Sequence, residues 1–502
     1  MIRRTALLSF TCIAVLLLTR SAWAATYPVG STRTHKSVCA LLADSGVTLG
    51  PDDVIDVDAG TYTDACQVHA SGTAGHPIIL QGAAGPRPVF DAKGLDLSGS
   101  GSVPRAILQF TNASYWVVQH LEFENAANGS NNGAAFRVTA GGHDITYRDV
   151  SIHDNNDGAQ SDGPVSIVIE NSEIFHNGAG DGQSHNLYLI GDFVRLQGNY
   201  IHDSVGGQNV KLRVHTIELF YNLIANEGNY AIDFEQAANT DAANANAVMI
   251  GNVVIRNPNA ENHGQTIVFG ADNGSDTRNG NLYAINNTFI FTQANTGFLH
   301  MLSPAPGSKA YFYNNVFHTT ANGVKLASDA TSEGLMSGSN NWVTTGITTA
   351  TAFTASVTGA DPGFVSATDF HLATGAAVID QGMAAPMFAD GTGASKDGTP
   401  TLEYGALSTV GRPVSGLLDL GAYEFGTPIS TDGGLGNDGG IIAGGDAGLV
   451  GSDAGRADGG SHSAGGSSSG CGCDLGSPAP ITSAWPLLLG GAFFVVRRRR
   501  RR

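Results

Sequence analysis

The sequence predicts an all-β chain wound into one parallel β-solenoid, and three observations carry that reading. Six segments, SIVIENSEIFHNG, FVRLQGNYIHDSV, TIELFYNLIANEG, AVMIGNVVIRNPN, NLYAINNTFIFTQ and KAYFYNNVFHTTA, share one form: a short alternating strand, an Asn, then a second short apolar strand. Their asparagines, Asn171, Asn199, Asn222, Asn252, Asn287 and Asn315, are 28, 23, 30, 35 and 28 residues apart. That is the length of one strand, turn, strand and variable loop, a single coil of a solenoid. Glycine is abundant, 67 residues of 502, and long amphipathic helical patterns are scarce. Asn suits a repeated corner because it tolerates bent backbone and can hydrogen-bond its copies one coil above and below.

The elements follow in chain order. Residues 1–24 combine a basic start (Arg3, Arg4), an apolar run and a small-residue ending at Ala22 to Ala24, the pattern of a signal peptide. Residues 25–426 then form one domain: N-terminal coils and cap over 25–105, central coils over 106–360 and a closing region over 361–426. Cys39 and Cys66 are expected to pair, since an exported chain meets oxidising conditions. Residues 427–470 are Gly, Ser and Asp with little else, a flexible tether with nothing to bury. Residues 471–502 hold Cys471 and Cys473, an apolar stretch and six arginines; the stretch is marginal in length for a membrane span.

Charge excludes one class of partner. Of 26 Lys and Arg, nine lie in the two ends, leaving 17 against 44 acidic residues, a net charge of −27. Such a surface repels nucleic acid. A monomer is expected.

Three stretches carry family resemblances. Asp52 to Ala92, with its GTY turn and the later SGTAGHPI, resembles the opening coils of the pectate-lyase-like superfamily. That resemblance implies a right-handed parallel β-helix. Asp361 to Gly382 and Gly411 to Gly426, with DPGF, HL, IDQG and DLGAYEFG, closely resemble the choice-of-anchor Q region that closes many secreted β-helix proteins, although Ala376-Ala377 replace its usual Ser-Pro. The C-terminal Cys pair, apolar run and Arg tail resemble the MYXO-CTERM sorting signal of myxobacteria. Together these imply a secreted protein anchored at the outer cell surface through its C-terminal tail.

The candidate site comes from aligning three coils: HNLYLIG from His185, QNVKLRV from Gln208 and YAIDFEQ from Tyr230. Alternation sends Leu187, Val210 and Ile232 inward, then Leu189, Leu212 and Phe234. Tyr188, Lys211 and Asp233 form one outward column, and Ile190, Arg213 and Glu235 the next. The plainest reading is an exposed charge ladder worth a few tenths of a kcal/mol per pair. A second is β-elimination on a uronic-acid polysaccharide: Arg213, or calcium on Asp233 and Glu235, neutralises the substrate carboxylate. Lys211 is then the base if its pKa is lowered, and Tyr188 or His185 the proton donor. A third is glycoside hydrolysis by Asp233 and Glu235, and a fourth is binding of a polysaccharide or cell-surface glycan without catalysis.

Other residues read as structural. His120, His153, His176 and His202 recur at coil turns and are expected to cap them. Asp154 to Gly163 and Ala271 to Gly280 are Asp-rich and are expected to be solvated loops rather than calcium sites. Trp116 and Trp342 are packing residues or sugar platforms, and Phe291 and Phe298 are core.

Overall fold

The computed structural model describes residues 24–429 except 140, 164, 261–263, 273–275 and 414. All but the last residue of the expected signal peptide, the tether beyond residue 429 and the sorting segment with Cys471 and Cys473 lie outside the described residues. Among those described, no helix is long and apolar enough to cross a membrane.

The solenoid expected from the Asn spacing is present as a parallel β-helix, consistent with the right-handed form. Nearly every strand pairs in parallel with the strand one coil earlier and one coil later. Each coil has three faces. On the first, Asp157–Ser161, the start of Leu187–Gln197, the start of Val210–Phe220, Ile232–Phe234, Gln265–Gly270 and Gly297–Leu302 stack in sequence. On the second face the ends of the two long strands continue into Ala247–Ile250, Leu282–Ile285 and Ala310–Tyr313. The third carries Glu173–Phe175, Tyr200–His202, Leu223–Ala225, Val253–Ile255 and Thr288–Phe291. Alternation fixes what fills the coil: Leu187, Val210, Ile232, Leu189, Leu212 and Phe234 all point inward and are fully buried. Each such side chain contributes roughly 1.5–3 kcal/mol against exposure.

The corner between the second and third faces is an Asn ladder. Asn199, Asn222, Asn252, Asn287, Asn315 and Asn341 are fully buried, and each amide donates to the next Oδ1 at 2.9–3.0 Å. The amide's other hydrogen goes to a main-chain carbonyl, as from Asn222 to Leu196 at 2.8 Å, so no buried donor is stranded. The expected register is one residue off at Asn171. Its φ of 52° places it at the left-handed turn position, and Ser172 takes the ladder site beneath Asn199. A second ladder, unforeseen, joins Asn155, Asn177, Asn186 and Asn209 at the corner leading to the first face.

The ends differ from the coils. Helix Val38–Leu42 buries Val38 and Leu41 on the opening coil, and its Cys39 forms the expected disulfide with Cys66. Residues 361–429 add no coil; they lie as a strap along the second and third faces. Phe388 packs with Tyr221, Val248 and Ile285, and Tyr423 with Val253 and Ile290. Asn286 and Asn314 donate to the strap carbonyls of Asp419 and Met383. Among the described residues, the strap's hydrogen bonds and core contacts fall on these two faces and not on the first.

Trp116 and Trp342 are buried, the indole of Trp116 donating to the Ala70 carbonyl at 2.8 Å, so neither is a sugar platform. Phe291 and Phe298 are core, as expected. Asp154 to Gly163 is not a solvated loop. It turns into the strand Asp157–Ser161, whose Asp157 and Gln160 are buried.

Candidate functional site

Parallel register brings the aligned residues together. Lys211 lies between Tyr188 on the preceding coil and Asp233 on the following one, and Arg213 lies beside Ile190. The Glu235 amide bonds to the Leu212 carbonyl, which holds its side chain in the next outward column. Lys211 Nζ donates to Asp233 Oδ2 at 3.2 Å and to Glu235 Oε1 at 2.7 Å. Arg213 pairs with Glu235 and, at 3.1 Å, with Asp272, and donates to the Gln236 carbonyl at 2.8 Å.

This is not an exposed ladder. The side chains of Asp233 and Glu235 are 1% and 5% exposed and those of Lys211 and Arg213 12% and 18%. Loops cover what a bare sheet would leave open: Gln236 and Asp272 exchange two hydrogen bonds at the mouth, at 2.8 and 3.0 Å. Beneath the strand Arg278, fully buried, donates to the carbonyls of Val214 and Glu235 and lies 5.1 Å over the Phe269 ring. Burial pulls its guanidinium down to about 9, still a cation at neutral pH.

The electrostatics revise the proposed roles. Burial pushes the Glu235 carboxyl up to about 8, with Asp233 beside it adding to the effect. Burial pulls Lys211 down, but Asp233 and Glu235 outweigh it and leave its pKa raised. The lowered pKa required of a resting base is therefore absent. His185 is no donor to substrate either. It is 2% exposed, its Nδ1 accepts from the Gln208 amide at 3.1 Å, and burial takes it down to about 3. Calcium does not fit Asp233 and Glu235: Lys211 and Arg213 already contact three of their four oxygens, so a bound ion would stand against two cations.

Several contributors escaped the sequence reading. Tyr230 sits in register with His185 and Gln208 at the head of the aligned segment. Burial first, then Asp233, pushes its hydroxyl up to about 12. Gln208 donates to Asp233 at 3.1 Å. Asp157 holds the His185 amide at 2.7 Å and is raised by burial to about 7. The aligned columns could have disclosed Tyr230 and Gln208; Asp272 and Arg278 reach in from a distant loop. Along the same column, over the first to third coils beyond Tyr230, a depression of about 320 Å³ is lined by Gln265, Gly297 and Lys325.

No family model matches the chain, and no curated protein matches it. Solved structures do. Pectate lyase Pel9A is 18% identical with a TM-score of 0.47, covering 80% of this chain and 97% of that one. An alginate lyase from Paenibacillus sp. str. FPU-7 is 17% identical, TM-score 0.36, over 66% and 98%. The GH136 lacto-N-biosidase from Eubacterium ramulus is 13% identical, TM-score 0.38, over 64% and 67%. Identities this low and superpositions this partial transfer no activity, substrate or residue role to this chain.

The raised carboxyls make stability depend on pH. Asp157, Glu227 and Glu235, all moved up chiefly by burial to about 7, 7 and 8, keep protons that the unfolded chain releases near its ordinary values of 3.8 and 4.5. Their contribution is fully present below those values and is lost as pH rises through 7 to 8. His185, lowered by burial, works the other way, losing stability as pH falls below 6.5. Three carboxyls against one imidazole put the optimum in the mildly acidic range. Thermal melts from about pH 4 to 9 should show Tm falling by several degrees between mild acid and mild alkali. A flat profile would refute the assignment.

Proposed function

We propose that the protein is a secreted, surface-anchored β-helix that cleaves an acidic polysaccharide by β-elimination. The observation that carries this reading is the buried cluster of Lys211, Arg213, Asp233 and Glu235 on the face left clear by the strap. Burying four ionisable groups together is costly, and a merely structural ladder has no need of it.

The roles follow from placement. Arg213, the more exposed cation, takes the uronate carboxylate and so acidifies the C5 proton. Lys211 and Glu235 share a hydrogen bond of 2.7 Å. Above about pH 8 Glu235 has released its own proton; when a bound polymer then excludes water, the charged pair loses its solvation and the neutral pair is favoured, so a proton moves from Lys211 to Glu235 and the Lys211 amine becomes the base. The amine takes the C5 proton, the C4–O bond breaks as the C4–C5 double bond forms, and the leaving oxygen receives a proton from Tyr188, which is hydrogen-bonded to Arg213. Asp233 and Gln208 hold Lys211 in place. Every step uses residues of this chain, without calcium.

The test is absorbance of unsaturated uronate products from pectate, alginate and glycosaminoglycans, with and without EDTA. Product should form on one substrate class and be unchanged by the chelator. Retention of a labelled polysaccharide with no product would replace catalysis by glycan binding.

A further inference from the structure

A second cluster of chemistry-bearing residues lies on the third face, several coils toward the N-terminus, and the elimination scheme makes no use of it. Glu122 and Glu124, two apart on the strand Ser114–Glu124, project from the same side of the sheet. On the next coil, Ser151 pairs with Glu122 and His153 with Glu124. One donor atom from each of Glu122, Glu124 and His153 can be chosen so that all lie within 4.8 Å of one another.

We propose that Glu122, Glu124 and His153 bind one divalent transition-metal ion of the zinc or manganese type.

Three features point this way. The first is orientation. His153 Nδ1 lies 2.8 Å from the Asp154 carboxylate, and its ring stacks on Phe175 at 4.8 Å and 21°. A carboxylate bonded to one imidazole nitrogen fixes the tautomer with its proton there and presents the other nitrogen's lone pair as a ligand. That other nitrogen, Nε2, is 3.3 Å from Glu122 Oε1. Glu124 Oε2 lies 3.9 Å from Nδ1, so both carboxylates converge on the same ring.

The second is charge. Glu122, Glu124 and Asp154 all lie within 3.9 Å of a single imidazole. Among the described residues no Lys or Arg ion pair reaches Glu122 or Glu124, whereas Glu170, Glu218 and Asp162 on other coils are each paired with an Arg.

The third is an internal control. Two coils on, His202 repeats the arrangement: Nδ1 lies 2.6 Å from Asp203 and Nε2 3.3 Å from Glu173. There the position equivalent to Glu124 is Phe175, so the second carboxylate is missing. One site has the extra donor and its copy does not. A mixed imidazole and carboxylate set suits zinc or manganese better than calcium, which takes oxygen ligands.

The test is calorimetric titration of the full chain, stripped with EDTA, using ZnCl₂, MnCl₂ and CaCl₂ separately. One equivalent of Zn²⁺ or Mn²⁺ should bind, more tightly than Ca²⁺. Glu124→Gln and His153→Gln should each weaken binding by about tenfold or more, and His202→Gln should leave it unchanged. Circular dichroism and metal-free melting of Glu124→Gln, expected to match the parent, separate lost binding from lost fold. No binding, a stoichiometry well below one, or equal loss in His202→Gln would overturn the proposal and leave His153 a structural residue of the coil turn.

Discussion

Replacing Lys211 with methionine should lower stability by about 3–5 kcal/mol and abolish elimination. Methionine keeps an unbranched apolar stem but supplies no charge, so Asp233 and Glu235 are left almost fully buried with Arg213 alone to balance them. An exposed ladder would lose only about 0.2–1 kcal/mol from the same change, and urea unfolding separates the two by its midpoint. The second half of the experiment is Lys211→Met combined with Glu235→Gln. Removing the acid that Lys211 balanced should restore much of the lost stability while restoring no activity. Stability that stays low in the double variant would mean that Lys211 acts through packing rather than charge. Activity that survives in either variant would place the base elsewhere, with Tyr230 the next group to examine.

Much of the coil was legible because its periodicities are local. Alternation alone placed Leu187, Val210 and Ile232 inside, and aligning the strand patterns of successive coils set Lys211 beside Asp233. Counting back from the strand start would also have corrected the ladder at Asn171: Tyr200 follows Asn199 directly, but Glu173 follows Ser172. What was not legible comes from loops whose paths no periodicity sets. Arg278 reaches Val214 across 64 residues and Asp272 reaches Arg213 across 59, and these contacts turn an outward column into a buried site. The expected lowering of Lys211 is reversed although burial pulls it down, because the two close carboxylates Asp233 and Glu235 outweigh burial and Arg213 together. His185 was also misjudged. It shares the inward parity of Leu187 and Leu189 and precedes the strand, and Asp157 and Gln208 hold it from adjacent coils. The His153 arrangement was hidden because its partners come from a different coil, and a lone His at a turn reads as a cap.

Arg256→Met should be as damaging as the Lys211 change, at about 3–5 kcal/mol, although Arg256 lies outside the catalytic cluster. Arg256 and Glu227 form an ion pair at 2.9 Å in which both side chains are fully buried. The guanidinium also donates to the carbonyls of Asn229, at 3.0 Å, and Gln265. Removing it leaves a buried carboxylate without its cation and two carbonyls without their donor, each costing about 1–3 kcal/mol. Burial already raises Glu227 to about 7 against the pull of Arg256, so in the variant it should rise further and take up a proton. The loss should therefore be smaller in mild acid than in mild alkali, the sign required of a group whose folded pKa lies above its unfolded value. Arg256→Met with Glu227→Leu should recover stability at all pH values, since an apolar pair carries no desolvation cost. Because Asn229 precedes Tyr230, the single variant should also shift Tyr230 and lower elimination. If activity falls in step with the folded fraction alone, the pair supports the coil; if it falls further, the pair also sets the geometry of the site.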